Sequence, residues 1–172
     1  PSRRHPYMAS LQLEGHSASD GAYDVHVCSG FLVAPDVVMT AAHCARYSPE
    51  GTDETFRAFN GMEVGKSDLS YEGEAFDPYD STTYDTYYEN LVPETLLLHP
   101  EYDADTYEHD VMLVKVYGRS RFPPVAIATD DAIDGGGLTA LGWGADSASD
   151  ARKYSDDLRP ANVELMTLGQ CR

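Results

Sequence analysis

The stretch CSGFLVAPDVVMTAAHC, residues 28–44, decides how the rest of the chain is read. Two runs of apolar and β-branched residues, Val25–Val33 and Val37–Thr40, flank the turn residues Pro35 and Asp36. Short runs of this kind, broken by turn formers, read as β-strands. After Thr40 come Ala41 and Ala42, which favour helix, and Pro49 closes the segment, so a single helical turn is expected there. The turn carries His43 and Cys44 side by side, an imidazole and a thiol placed directly after a core strand. Taken alone, such a pair is most simply a half-buried histidine beside a small buried cysteine. A chemical role has to be argued from the rest of the chain.

The chain has 172 residues, enough for one domain or two small ones with a real core. Its 29 acidic and 12 basic residues give a net charge of −17. That field disfavours nucleic acid and anionic membrane surfaces as partners, and it favours solubility and basic or calcium partners. No apolar run reaches the roughly 18 residues of a membrane-spanning helix, so no transmembrane segment is expected. The start, Pro1-Ser2-Arg3-Arg4, reads as a processed or trimmed end. Cys28, Cys44 and Cys171 are an odd number, so an oxidising compartment would leave one pair and one orphan.

Further strand-like runs are Met8–Leu13, Phe56–Val64, Thr95–Leu98, Val111–Val116, Leu138–Trp143 and Val163–Leu168. All are short and separated by Gly, Pro, Asp or Asn, the rhythm of an all-β sandwich or barrel. The segment Ser67–Glu94 differs. It holds eight acidic residues, five tyrosines and no lysine or arginine. It reads as a long solvated loop, with calcium binding as the alternative because carboxylates are the hard oxygen ligands that ion prefers. Its spacing does not match an EF-hand loop, and the chain contains neither an HExxH nor a CxxC metal pattern.

The 28–44 stretch resembles the chymotrypsin/trypsin-like serine protease family, in which one strand opens with Cys-x-Gly and the next ends in Thr-Ala-Ala-His-Cys. Four more stretches resemble the family in its own order: HPYMASLQL (5–13), LLLHPEYD (96–103), EHDVMLVKV (108–116) and LTALGWG (138–144). The resemblance covers almost the whole chain and implies a double six-stranded β-barrel. It divides the chain into an N-terminal barrel over 1–120, with an acidic insertion at about 67–94, and the start of a C-terminal barrel over 121–172. It also implies a Cys28–Cys44 disulfide, His43 as catalytic base and Asp110 as its partner.

The chemistry of these residue types agrees. A serine hydroxyl is a weak nucleophile at neutral pH and needs a neutral imidazole to take its proton. With an unperturbed pKa of about 6.5, histidine can accept and return that proton. A carboxylate accepting the other ring N–H fixes the tautomer and stabilises the imidazolium. Cys44 is then a staple beside the base, closing a loop of 16 positions worth roughly 3 kcal/mol in the chain-entropy account. His99 reads as a structural or surface histidine. His109 is expected on the opposite strand face from Asp110, and Trp143 is expected to be core.

The family's Gly-Asp-Ser-Gly-Gly motif does not occur in these 172 residues. GADSASD (144–150) lacks its glycines, so Ser147 is not read as the nucleophile. The Ile-Val-Gly-Gly start, the specificity pocket and the oxyanion-hole amides have no counterpart either. The resemblance therefore implies a secreted or otherwise extracytoplasmic serine endopeptidase of which this chain is a fragment, inactive by itself. Such an enzyme acts on protein or peptide substrates and needs no cofactor. Its remaining chain, or a partner subunit, would cover the open second barrel. Cys171 would be free or paired outside this chain. The alternative is a catalytically inactive homologue serving as a binding or regulatory subunit. Retention of both His43 and Asp110 favours the enzyme.

Overall fold

The computed structural model describes residues 5–17, 21–47, 56–57, 59–71, 88–128, 137–144 and 155–164. Its strands in chain order are β1 (Met8–Ser17), β2 (Gly21–Ala34), β3 (Val37–Thr40), β4 (Arg46–Tyr47), β5 (Phe56–Arg57) and β6 (Gly61–Val64). They continue with β7 (Glu89–Leu91), β8 (Pro93–Leu98), β9 (Met112–Val116), β10 (Leu138–Gly142) and β11 (Arg159–Val163). A 3-10 turn, Ala42–Ala45, follows β3 where a helical turn was expected. No helix among the described residues is long and apolar enough to cross a membrane. The fold is all-β, of the trypsin-like barrel type.

The chain divides into two compact units, residues 1–67 with 72–126, and residues 68–71 with 127–172. In the first, seven antiparallel strands form one curled sheet in the order β7-β6-β1-β2-β3-β9-β8. Alternation sets what lies inside. On β9, Met112, Val114 and Val116 are buried while Leu113 and Lys115 are only partly so. Ala9 and Leu11 of β1, Leu32 of β2 and Val38 of β3 join them in one apolar cluster closed by Phe59 and Phe122. Gly30 is where β2 crosses that core. A Cβ there would come within 2.9 Å of both the Met39 carbonyl oxygen and Val38 Cγ1, so the Cys-x-Gly pattern reflects close backbone approach.

Differences from the sequence expectations have local causes. The run Phe56–Val64 splits into β5 and β6. The last strand is Arg159–Val163 rather than Val163–Leu168, whose residues from 165 lie outside the described set. The acidic segment 67–94 is not all loop. Residues 72–87 lie outside the described set, but Glu89–Leu91 is β7 and Pro93 opens β8, with Tyr88, Glu89 and Leu91 buried. Glu89 is tolerated inside because Ser120 Oγ donates to Oε2 at 2.6 Å, and the Arg121 N–H and Nε lie 3.1 and 3.2 Å from Oε1.

The second unit holds the β10–β11 ladder, Leu138↔Val163 to Gly142↔Arg159. Trp143, expected in the core, is fully buried. The Ser155 N–H donates to its carbonyl at 3.3 Å, and Ser155 Oγ accepts from Arg159 Nε at 2.8 Å.

A buried polar chain crosses β2, β1 and β6. Lys66 Nζ donates to Glu63 Oε1 at 2.6 Å, and Gln12 Nε2 donates to Glu63 Oε2 at 2.9 Å and to Ser10 Oγ at 2.7 Å. Ser10 Oγ lies 2.6 Å from His26 Nδ1. Burial lowers the His26 pKa from 6.5 to about 4, so the ring is neutral. Below pH 6.5 the unfolded chain therefore takes up a proton that the folded chain refuses until about pH 4, and stability falls as pH drops through that window. Urea unfolding of wild type and His26→Gln across this range should show the larger loss on acidification in the wild type. Parallel pH profiles would mean that His26 is not held neutral.

Candidate active site

Strand register brings the two candidate residues together. β3 and β9 pair antiparallel from Val37↔Lys115 to Thr40↔Met112, so the chain leaving β3 and the chain entering β9 emerge side by side. Thr40 is anchored there, its hydroxyl donating to the Ser29 carbonyl at 2.8 Å. The 3-10 turn that follows is closed by Cys44 N–H donating to the Ala41 carbonyl at 3.3 Å. Asp110 sits at the centre of a three-residue turn, in which Val111 N–H donates to the His109 carbonyl at 2.8 Å.

Two hydrogen bonds join these turns. His43 N–H donates to Asp110 Oδ1 at 2.8 Å, and His43 Nδ1 lies 2.7 Å from Oδ2. Desolvation pushes the Asp110 carboxyl up, but the side-chain and backbone hydrogen bonds from His43, with one from the Ala42 backbone, outweigh it and hold the pKa below the ordinary value. The carboxylate is thus the acceptor, and Nδ1 the donor. In the neutral ring this leaves the Nε2 lone pair as the basic site. His43 keeps 49% of its side chain exposed, against 22% for Asp110, so a reactant can reach the imidazole.

Cys28 and Cys44 are disulfide-bonded, with their Cα atoms 6.2 Å apart. The bridge ties the turn carrying His43 to β2. Tyr107 packs edge-on to the His43 ring, centroids 5.9 Å apart and planes at 74°. Sequence reasoning missed Tyr107, because an exposed tyrosine in a loop looks like any other until its loop is folded. It also misplaced His109: neither His109 nor Asp110 lies in a strand, and His109 has φ 54°, a left-handed conformation uncommon outside glycine. The ring of His109 stacks on His99 at 4.8 Å. Ser147 and Cys171 lie outside the described residues.

Comparison with known proteins gives the family. The family described as Trypsin matches residues 1–172. The chain belongs to the trypsin family. Among its relatives, the ovochymase of Halocynthia roretzi is 24% identical over 156 residues, covering 86% of this chain and 9% of that protein. The chymase of Mus musculus is 26% identical over 173 residues, covering 97% of this chain and 58% of its own length. Human (Homo sapiens) cathepsin G is 28% identical over 178 residues, covering 99% of this chain and 57% of its own. This trypsin-like serine protease domain therefore spans little more than half the length of the chymase and cathepsin G relatives.

The disulfide can be tested directly. Non-reducing peptide mapping should recover Cys28 linked to Cys44, and replacing both by serine should cost about 3 kcal/mol of stability. A bridge from Cys171 to either cysteine would contradict this connectivity.

Proposed function

We propose that the whole protein is a secreted trypsin-like serine endopeptidase in which His43 is the general base, Asp110 orients it, and the serine nucleophile lies outside these 172 residues. The observation that carries the reading is the pair of hydrogen bonds from His43 to the Asp110 carboxylate, which leaves an accessible Nε2 lone pair. A hydroxyl placed at that nitrogen gives up its proton as it attacks a scissile carbonyl. The imidazolium that forms is stabilised by Asp110 and returns the proton to the leaving amine. This chemistry needs no cofactor. The contact of Nδ1 with Oδ2 holds the ring, while the backbone N–H of His43 at Oδ1 holds the carboxylate in place for it.

Residues 1–120 are read as the first barrel and 121–172 as the start of the second. In support, β10 and β11 form a two-stranded ladder whose second strand is exposed throughout, and such a ladder is marginal without further strands. The rest of the chain, or a partner subunit, is the natural cover. The Cys28–Cys44 disulfide favours an oxidising, extracytoplasmic location.

The test is to express the full-length protein, activate it and assay it on a mixed peptide library. His43→Ala should lower kcat by several orders of magnitude, because the serine loses its base. Asp110→Asn should keep the geometry yet lose about 10⁴ in rate, since the amide favours the wrong tautomer. Neither change should greatly weaken binding of a peptide inhibitor. An intact wild type that cleaves nothing and reacts with no serine-directed probe leaves an inactive homologue as the reading.

A further inference from the structure

The loop between β8 and β9 carries a second cluster of chemically capable side chains. His99 and Glu101 stand at its start and His109 at its end, and one ligand atom from each lies within 4.8 Å of the others. Loop geometry creates this closeness. His99 N–H donates to the Val111 carbonyl at 2.9 Å, which brings the two ends of the loop together. Asp103 N–H donates to the Glu108 carbonyl at 3.1 Å, and Tyr107 N–H to the Asp103 carbonyl at 2.9 Å. The left-handed backbone at His109 then turns its ring onto that of His99, with planes only 11° apart, and its Nε2 lies 3.9 Å from Glu101 Oε2. Two stacked imidazoles gain little from each other on a half-exposed surface, and the Glu101 carboxylate at 3.9 Å is too far for a hydrogen bond.

We propose that His99, Glu101 and His109 form a binding site for zinc(II) that clasps the two ends of the loop presenting Tyr107 and Asp110. The donor set suits the ion: two imidazoles and a carboxylate are borderline ligands, and zinc takes three protein ligands with water in the fourth position. Ligands about 2.0–2.1 Å from a tetrahedral centre stand about 3.3 Å apart. The donors must therefore close by about 1.5 Å, which side-chain torsions supply at exposed positions. Glu101 has 72% of its side chain exposed and His109 has 50%. His99 Nδ1 accepts the Glu101 N–H at 3.2 Å, and that exposed amide can turn to water when a metal takes the lone pair. The other grouping with metal-ligand atoms among the described residues, Cys28, His43 and Cys44, is no competitor because its two sulfurs are spent in the disulfide.

The site is independent of whether His43 and Asp110 catalyse, and its test does not use activity. Full-length protein is titrated calorimetrically with zinc(II), and cobalt(II) is added separately to read its visible absorption. One equivalent of zinc should bind, with cobalt absorbing as a tetrahedral rather than an octahedral ion. Glu101→Gln should weaken binding at least about tenfold, and His99→Gln with His109→Asn should abolish it. Asparagine is chosen at 109 because it tolerates the left-handed backbone. His43→Ala should retain the equivalent of zinc. Hydrogen exchange provides a second readout: zinc should slow the amides of residues 101–109 in the wild type and leave them unchanged in the double variant. No binding at millimolar zinc, binding that survives the double variant, or binding lost with His43→Ala would each overturn the site.

Discussion

The pairing of β3 with β9 is the constraint on which the rest depends. His43 and Asp110 are 67 positions apart, and only this ladder, ending at Thr40↔Met112, brings them to the same edge of the sheet. A slip of one residue would turn Val114, Met112 and Val116 outward and carry Asp110 away from the His43 turn. Burying an aliphatic or methionine side chain contributes about 1.5–3 kcal/mol, whereas a single hydrogen bond contributes about 1 kcal/mol net. The register is accordingly enforced by the core, and the contacts between His43 and Asp110 follow from it. The geometry of the His43–Asp110 pair is a by-product of where apolar side chains can be hidden. The disulfide then removes the remaining freedom of the His43 turn relative to β2.

Electrostatics shows the same precedence of local over global. A net charge of −17 opposes one more carboxylate anywhere on the molecule. Yet exposed charges farther apart than about 8–10 Å are largely screened at ordinary ionic strength, while two N–H groups at 2.7–2.8 Å act with little screening. Asp110 therefore stays ionised and able to accept from the ring. Glu63 and Glu89 follow this rule deeper inside, where each is buried against a cation and a neutral donor. His26, whose charged form is a cation, is instead kept neutral by burial.

What could be read from the sequence was what depends on neighbours along the chain. The alternation in Val111–Val116, the turn at Pro35-Asp36 and the alanines before His43 are local signals, and β3, β9 and the 3-10 turn appear where they indicate. The resemblance supplied the long-range pairing that periodicity cannot, because nothing in VVMT or VMLVKV names its partner. Misreadings came where composition outweighed pattern. Acidic residues made 88–94 look like loop, although Glu89 is buried against Ser120 and Arg121, which lie 31 and 32 positions away. His109 was placed on a strand face because the run to Val116 was extended backwards through Asp110. The turn at 109–111 has only a weak signature, since histidine is enriched at left-handed positions yet rarely adopts them.

The surroundings of His43 are built from two kinds of structure. On one side are β2, β3 and the 3-10 turn, with the disulfide joining β2 to the turn, the Thr40 hydroxyl joining β3 to β2, and a core with little room even for a Cβ at Gly30. On the other is the loop from His99 to Asp110, held by a few backbone hydrogen bonds and containing two non-glycine residues, Tyr107 and His109, with positive φ. Left-handed conformations cost of order 1–3 kcal/mol at such residues and persist only while neighbouring contacts over-determine them. Asp110 belongs to both sides, because its carboxylate is fixed by the His43 turn while its backbone closes the loop. The His43 turn thus holds the imidazole against its carboxylate, and the loop side brings Tyr107 to the ring.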